Sequence, residues 1–120
     1  MVPSARRPAI AFDDKGITAV WREQEPEMPF IPWADVERVM AYKVDCYTLD
    51  EIRLEFLSSR SDSLVVTEEM VGWQSLVKEL PKHLPGFPEF ERWFSKVAAP
   101  PFAENLSVLY ERAQPDALTT

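Results

Sequence analysis

The side chains best suited to chemistry in this chain are few and scattered. Cys46 is the only cysteine and His83 the only histidine, and they lie far apart in sequence. A thiolate beside an imidazole makes a reactive nucleophile. Cys46, however, shares the alternating register of Met40, Tyr42 and Val44, where a free cysteine behaves as a small hydrophobe. His83 follows Pro81 and Lys82 and reads as an exposed or locally hydrogen-bonded residue. A structural zinc site needs several nitrogen or sulfur ligands at one point, which this pair does not supply, so no metal and no cofactor is expected. The three glycines, Gly16, Gly72 and Gly86, are isolated, which excludes a glycine-rich phosphate loop.

The acidic residues offer more. Asp45, Asp50, Glu51, Glu68 and Glu69 fall where one end of a sheet would gather them, and paired carboxylates bind divalent ions or divide acid and base roles. Structural roles compete with that reading, since Asp50 suits a turn, while Glu68 and Glu69 suit the positive end of a following helix. Lys43 and Asp45, read as pointing outward, form either a surface ion pair or half of a recognition site. Among the tryptophans, Trp33 and Trp73 are assigned to the core. Trp93 neighbours an apolar stripe that suits contact with another chain. The candidate binding residues are thus Lys43, Asp45, Asp50, Glu69 and Trp93, with no catalytic residue and no metal ligand among them.

The elements that must position these residues are strands first and helices second. Residues 9–12 and 17–21 read as two strands joined by the polar turn Asp13-Asp14-Lys15-Gly16. Phe30-Ile31-Pro32 allows only a short or edge strand, because proline cannot donate to a ladder, and a kink or single helical turn is expected after Trp33. Met40, Tyr42, Val44 and Cys46 alternate with Lys43 and Asp45, and Ile52, Leu54 and Phe56 alternate with Arg53 and Glu55. These patterns predict a second hairpin with its turn near Thr48 to Asp50 and the first of each set facing inward. Leu64 and Val66 continue the sheet.

The period changes after Met70. Trp73, Leu76, Val77, Leu80 and Leu84 predict an amphipathic helix capped by Thr67 and ended or kinked by Pro81. Phe87, Phe90, Phe94 and Val97 predict a second helix, stopped by Pro100-Pro101. Residues 102–112 fit either a last short helix or a strand over 108–110. Residues 1–8 read as a flexible leader and 113–120 as a flexible tail, around a single α+β domain over 9–112.

The 120 residues suit one domain with a real core. Hydrophobic residues make up 46% and charged residues 28%, far from the composition of a disordered chain. A lone cysteine points to a reducing, cytoplasmic compartment. No stretch approaches the roughly 20 apolar residues of a membrane-spanning helix. Thirteen basic against twenty acidic residues leave a net charge of −7, which opposes binding to nucleic acid and to anionic membrane surfaces.

The run Ile31-Pro32-Trp33-Ala34-Asp35-Val36, followed by Ala41-Tyr42-Lys43-Val44-Asp45 and Asp50-Glu51-Ile52, resembles small bacterial proteins of unknown function with a pleckstrin-homology-like fold. Glu68-Glu69-Met70-Val71-Gly72-Trp73, Leu80-Pro81 and Leu109-Tyr110-Glu111-Arg112 extend that resemblance over most of residues 16–112. It implies a strongly bent antiparallel sheet of about seven strands followed by C-terminal helices, an architecture of sheet packed on helix. The helical sequence after Pro85 exceeds a minimal fold of that kind. Members of that superfold that hold inositol phosphates use basic residues in the first hairpin loop, where this chain has only Lys15 beside Asp13 and Asp14.

These readings converge on a non-catalytic binding or interaction module with a protein partner, of the immunity or regulatory type, in which a compact acidic body covers a basic surface. The alternative reading is a small-molecule binder or hydrolase using carboxylates around Asp45 and Asp50. A separate expectation is self-association into a homo-oligomer through the second helix.

Overall fold

Residues 8–20, 28–45, 50–98 and 106–112 are described by a computed structural model. Residues 1–7 of the leader expected over 1–8, the expected tail, Trp21, Cys46, and Thr48 and Leu49 of the expected turn lie outside the described residues. Two antiparallel sheets and two helices make an α+β fold. The first sheet has the order β1-β2-β3, formed by Ala9–Phe12, Gly16–Val20 and Ile31–Pro32. The second has the order β6-β5-β4-β7, formed by Ser63–Thr67, Asp50–Ser58, Val36–Asp45 and Ser107–Glu111. Helices α1, Trp73–His83, and α2, Phe90–Ala98, lie between β6 and β7 in the chain. The C-terminal helices are therefore followed by a strand, which settles the ambiguity of residues 107–111 in favour of pairing with β4.

Local chemistry fixes the first hairpin. The Asp13 carboxylate accepts from the backbone N–H of Lys15 at 2.8 Å and of Gly16 at 3.2 Å, the self-bonding habit of aspartate in turns. Those donors, Lys15 foremost, hold the Asp13 carboxyl below its usual range. Gly16 is required where β2 meets β3: a Cβ there would lie 2.5 Å from the Ile31 carbonyl oxygen. Trp33, in a single 3-10 turn at Trp33–Asp35, donates from its indole Nε1 to the Asp13 carbonyl at 2.7 Å, tying the turn to that hairpin.

β4 departs from the expected phase. Val36 opposes Ser58 while Arg38 opposes Leu57, so Glu37 is an extra residue, a β-bulge. Because side chains alternate with period two, one extra residue sends all that follow to the other face. Val36 remains buried, and beyond the bulge Val39, Ala41 and Lys43 turn inward, while Met40, Tyr42 and Val44 are only half-buried. The sequence expectation for this strand is thus inverted. β5 and β6 keep theirs, with Ile52, Leu54, Phe56, Leu64 and Val66 buried.

The core lies between the inner face of the second sheet, the first sheet and the helices. Trp33 and Trp73 are both in it, with Leu76, Leu80 and Val97 from the helices. α1 begins at Trp73 with no side-chain cap; Gly72 precedes it at φ 97°, backed by the Ile10 carbonyl oxygen 3.0 Å from where a Cβ would sit. The cap expected from Thr67 is corrected. Thr67 ends β6, and its hydroxyl instead accepts from the Glu69 N–H at 3.2 Å within the turn that follows. Pro81 sits in the last turn of α1, which ends two residues later at His83.

Candidate binding surface

The bulge at Glu37 gives the second sheet two apolar faces. One is the core. The other carries Met40, Tyr42 and Val44 from β4, Leu57 from β5, and Val65 from β6, all half-buried, with Val108 of β7 at 51% exposure beside Met40. Arginines and glutamates alternate with them, and four of these form two ion pairs. Arg38 Nη2 meets Glu111 Oε2 at 2.6 Å, and Arg53 Nε meets Glu51 Oε1 at 2.9 Å. Burial pushes the Tyr42 hydroxyl above its ordinary pKa, and the nearby Glu55 charge pushes it the same way. Glu55, opposite Met40 and Val65 on the same face, has no ion pair among the described residues, so an apolar contact here also meets a negative charge that a basic partner would match.

β7 forms the rim of this surface. Val39 opposes Tyr110 while Met40 opposes Val108, so Leu109 is bulged; Leu109 and Tyr110 both pack on the core while Val108 stays outside. A bulge on an edge strand blunts strand addition, which leaves the side chains rather than the strand edge as the contact surface. Arg112 fastens the end of β7. Its guanidinium donates to the carbonyls of Val36 at 3.0 Å, Trp33 at 3.2 Å and Ala34 at 2.6 Å, and its backbone N–H to the Glu37 carbonyl at 2.9 Å. The same arginine therefore holds the strand against the bulge that sets the phase of β4. Beyond the rim, a groove of about 490 Å³ runs between β7 and α2.

The residues selected from sequence do not meet at one site. Lys43, expected on the outward face, is 3% exposed, and its ammonium donates to the Ala98 carbonyl at 2.7 Å, at the negative end of α2. Asp45 ends β4 directly opposite Asp50, which begins β5. Glu69 is exposed in the turn after β6. Trp93 is 3% exposed, with Phe90 and Phe94 packed edge-on beside it, and it lines the groove between α2 and β7.

Glu68 does something that the sequence pattern does not reveal. Its N–H donates to the Ile52 carbonyl at 3.0 Å and its carboxylate accepts the Ile52 N–H at 2.9 Å, so the side chain continues the ladder where β6 stops. Burial raises its pKa, and the Glu69 and Glu51 charges add to the rise. Among the described residues no group of three or more histidine, cysteine or carboxylate side chains is placed to hold a metal ion. Among them, too, no helix is long and apolar enough to cross a membrane.

His83 also departs from its expected place. It is not an exposed residue but a half-buried ring at the end of α1, stacked on Trp33 and edged by Phe12. The outward sheet face could not be found by alternation alone, because the signal that defines it is a register shift between strands.

Compared with known proteins, the chain matches no family model, no curated protein and no solved structure.

Proposed function

We propose that this protein is a non-catalytic interaction module that binds a protein partner through the outward face of its four-stranded sheet. The observation that carries this reading is the face itself: Met40, Tyr42, Val44, Leu57, Val65 and Val108 lie on the side opposite the core, with the ion pairs Arg38–Glu111 and Arg53–Glu51 among them. Exposed apolar patches rimmed by polar groups are characteristic of interaction sites. The net charge of −7 favours a partner with a basic surface around an apolar centre. An immunity-type or regulatory role in the cytoplasm is the biological form this reading takes. Two antiparallel sheets with helices after the sixth strand support the pleckstrin-homology-like relationship as part of the same proposal; the seventh strand follows the helices instead of preceding them.

The test is affinity capture from the source cell with wild-type protein and with a folded Met40→Glu/Val108→Glu double variant. A protein recovered reproducibly by the wild type and lost with the variant supports the reading. Equal recovery by both, or no partner at all, contradicts it. Sedimentation of the purified chain tests self-association separately.

A further inference from the structure

The groove between α2 and β7 has chemistry that the sheet face does not use. Its floor is apolar, with Phe87, Trp93 and Leu109, and its α2 wall carries Arg92 and Lys96 one helical turn apart. In a chain of net charge −7, neither cation has an ion pair among the described residues. Glu89 is the only carboxylate on the lining and precedes Arg92, at the end of the wall away from Lys96. The buried indole N–H of Trp93 has no hydrogen-bond partner, an unused donor beside the same groove. The neighbouring groove between α1 and α2 has as many carboxylates as cations, Glu89 and Glu91 with Lys78 and Lys82, Glu89 lining both grooves.

We propose that the α2–β7 groove binds a small carboxylate with an apolar body. The carboxylate sits between Arg92 and Lys96, where charge-assisted hydrogen bonds are strongest. Its tail or ring lies along half-buried Leu109 and exposed Val108, over the narrow edges that nearly buried Phe87 and Trp93 leave at the groove floor, replacing water over that apolar surface. The groove's 490 Å³ falls within the roughly 300–1,000 Å³ of small-molecule sites. The groove meets the sheet face at Val108, which lines both; Arg92 and Lys96 lie on the groove alone, so their substitution tests the groove without touching the face.

The experiment is a ¹⁵N NMR titration of the full chain with sodium octanoate, with octylammonium chloride as a probe of equal tail and opposite charge. Octanoate is expected to shift the Trp93 indole N–H and the backbone amides of Phe87, Arg92 and Leu109 saturably, while octylammonium does not. Arg92→Gln/Lys96→Gln is expected to weaken octanoate about tenfold or more while leaving the remaining spectrum in place. Equal binding of the two probes, shifts centred on the outward sheet face, affinity unchanged in the double variant, or no saturable shift would each overturn the proposal.

Discussion

The imidazole of His83 lies flat against the indole of Trp33, with ring centroids 4.7 Å apart and planes 8° from parallel. Trp33 also meets Phe56 of β5 edge-on at 6.5 Å, and Phe12 of β1 edges His83 at 5.9 Å. The cluster thus joins the end of α1 to both sheets. Its polar edge is incomplete: His83 Nε2 stands 3.8 Å from Glu79 Oε1 and has no hydrogen bond.

If the contribution of His83 is stacking, an aromatic hydrocarbon can replace it. His83→Ala should lower stability by about 1–2 kcal/mol, and His83→Phe by much less. Urea unfolding of the three proteins measures this. Equal losses in both variants would mean that the imidazole nitrogens, not the ring face, hold the cluster.

Lys43 makes the complementary case of a charge buried for structure. Its ammonium meets the last carbonyl of α2, so Lys43→Met, which keeps the stem and removes the donor, should cost about 1–3 kcal/mol. Hydrogen exchange should quicken first in the last turn of α2. Stability unchanged from wild type would show that the bond to Ala98 contributes nothing net.

Lys43 also marks how far the sequence could be read. The hairpins, the inward sets of β5 and β6, and both amphipathic helices follow from local alternation and three- and four-residue spacing, so they were legible. The inversion of β4 was not, because Glu37 becomes an extra residue only against its partner strand. β7 was ambiguous for the same reason: its pairing with β4 bridges both helices and has no local signature. Trp93 stood out in the sequence as a contact for another chain, whereas the structure leaves it 3% exposed beneath the groove. Arg92 and Lys96 became a pair over a groove only once β7 supplied the other wall.

Glu68 sets a pH dependence of known sign. Its folded pKa is raised, foremost by burial, so the folded state holds its proton more tightly than the unfolded chain does. Its contribution to stability therefore falls as pH rises from the ordinary glutamate range through the raised value. Glu68→Gln keeps an oxygen for the Ile52 N–H and removes the charge. It should be at least as stable as wild type at pH 7, with any advantage shrinking as pH falls through that window. Parallel urea titrations at several pH values measure it; an advantage that grows towards acid pH would contradict the assignment.

The binding account stands on the orientation of β4, and solvent paramagnetic relaxation of side-chain methyls reads that orientation directly. With a soluble gadolinium chelate, the Met40, Val44 and Val108 methyls should relax strongly, while those of Val39 and Ala41 should be shielded. Strong relaxation of Val39 and Ala41 with Met40 and Val44 protected would place the apolar alternation of β4 inside the core and remove the proposed surface.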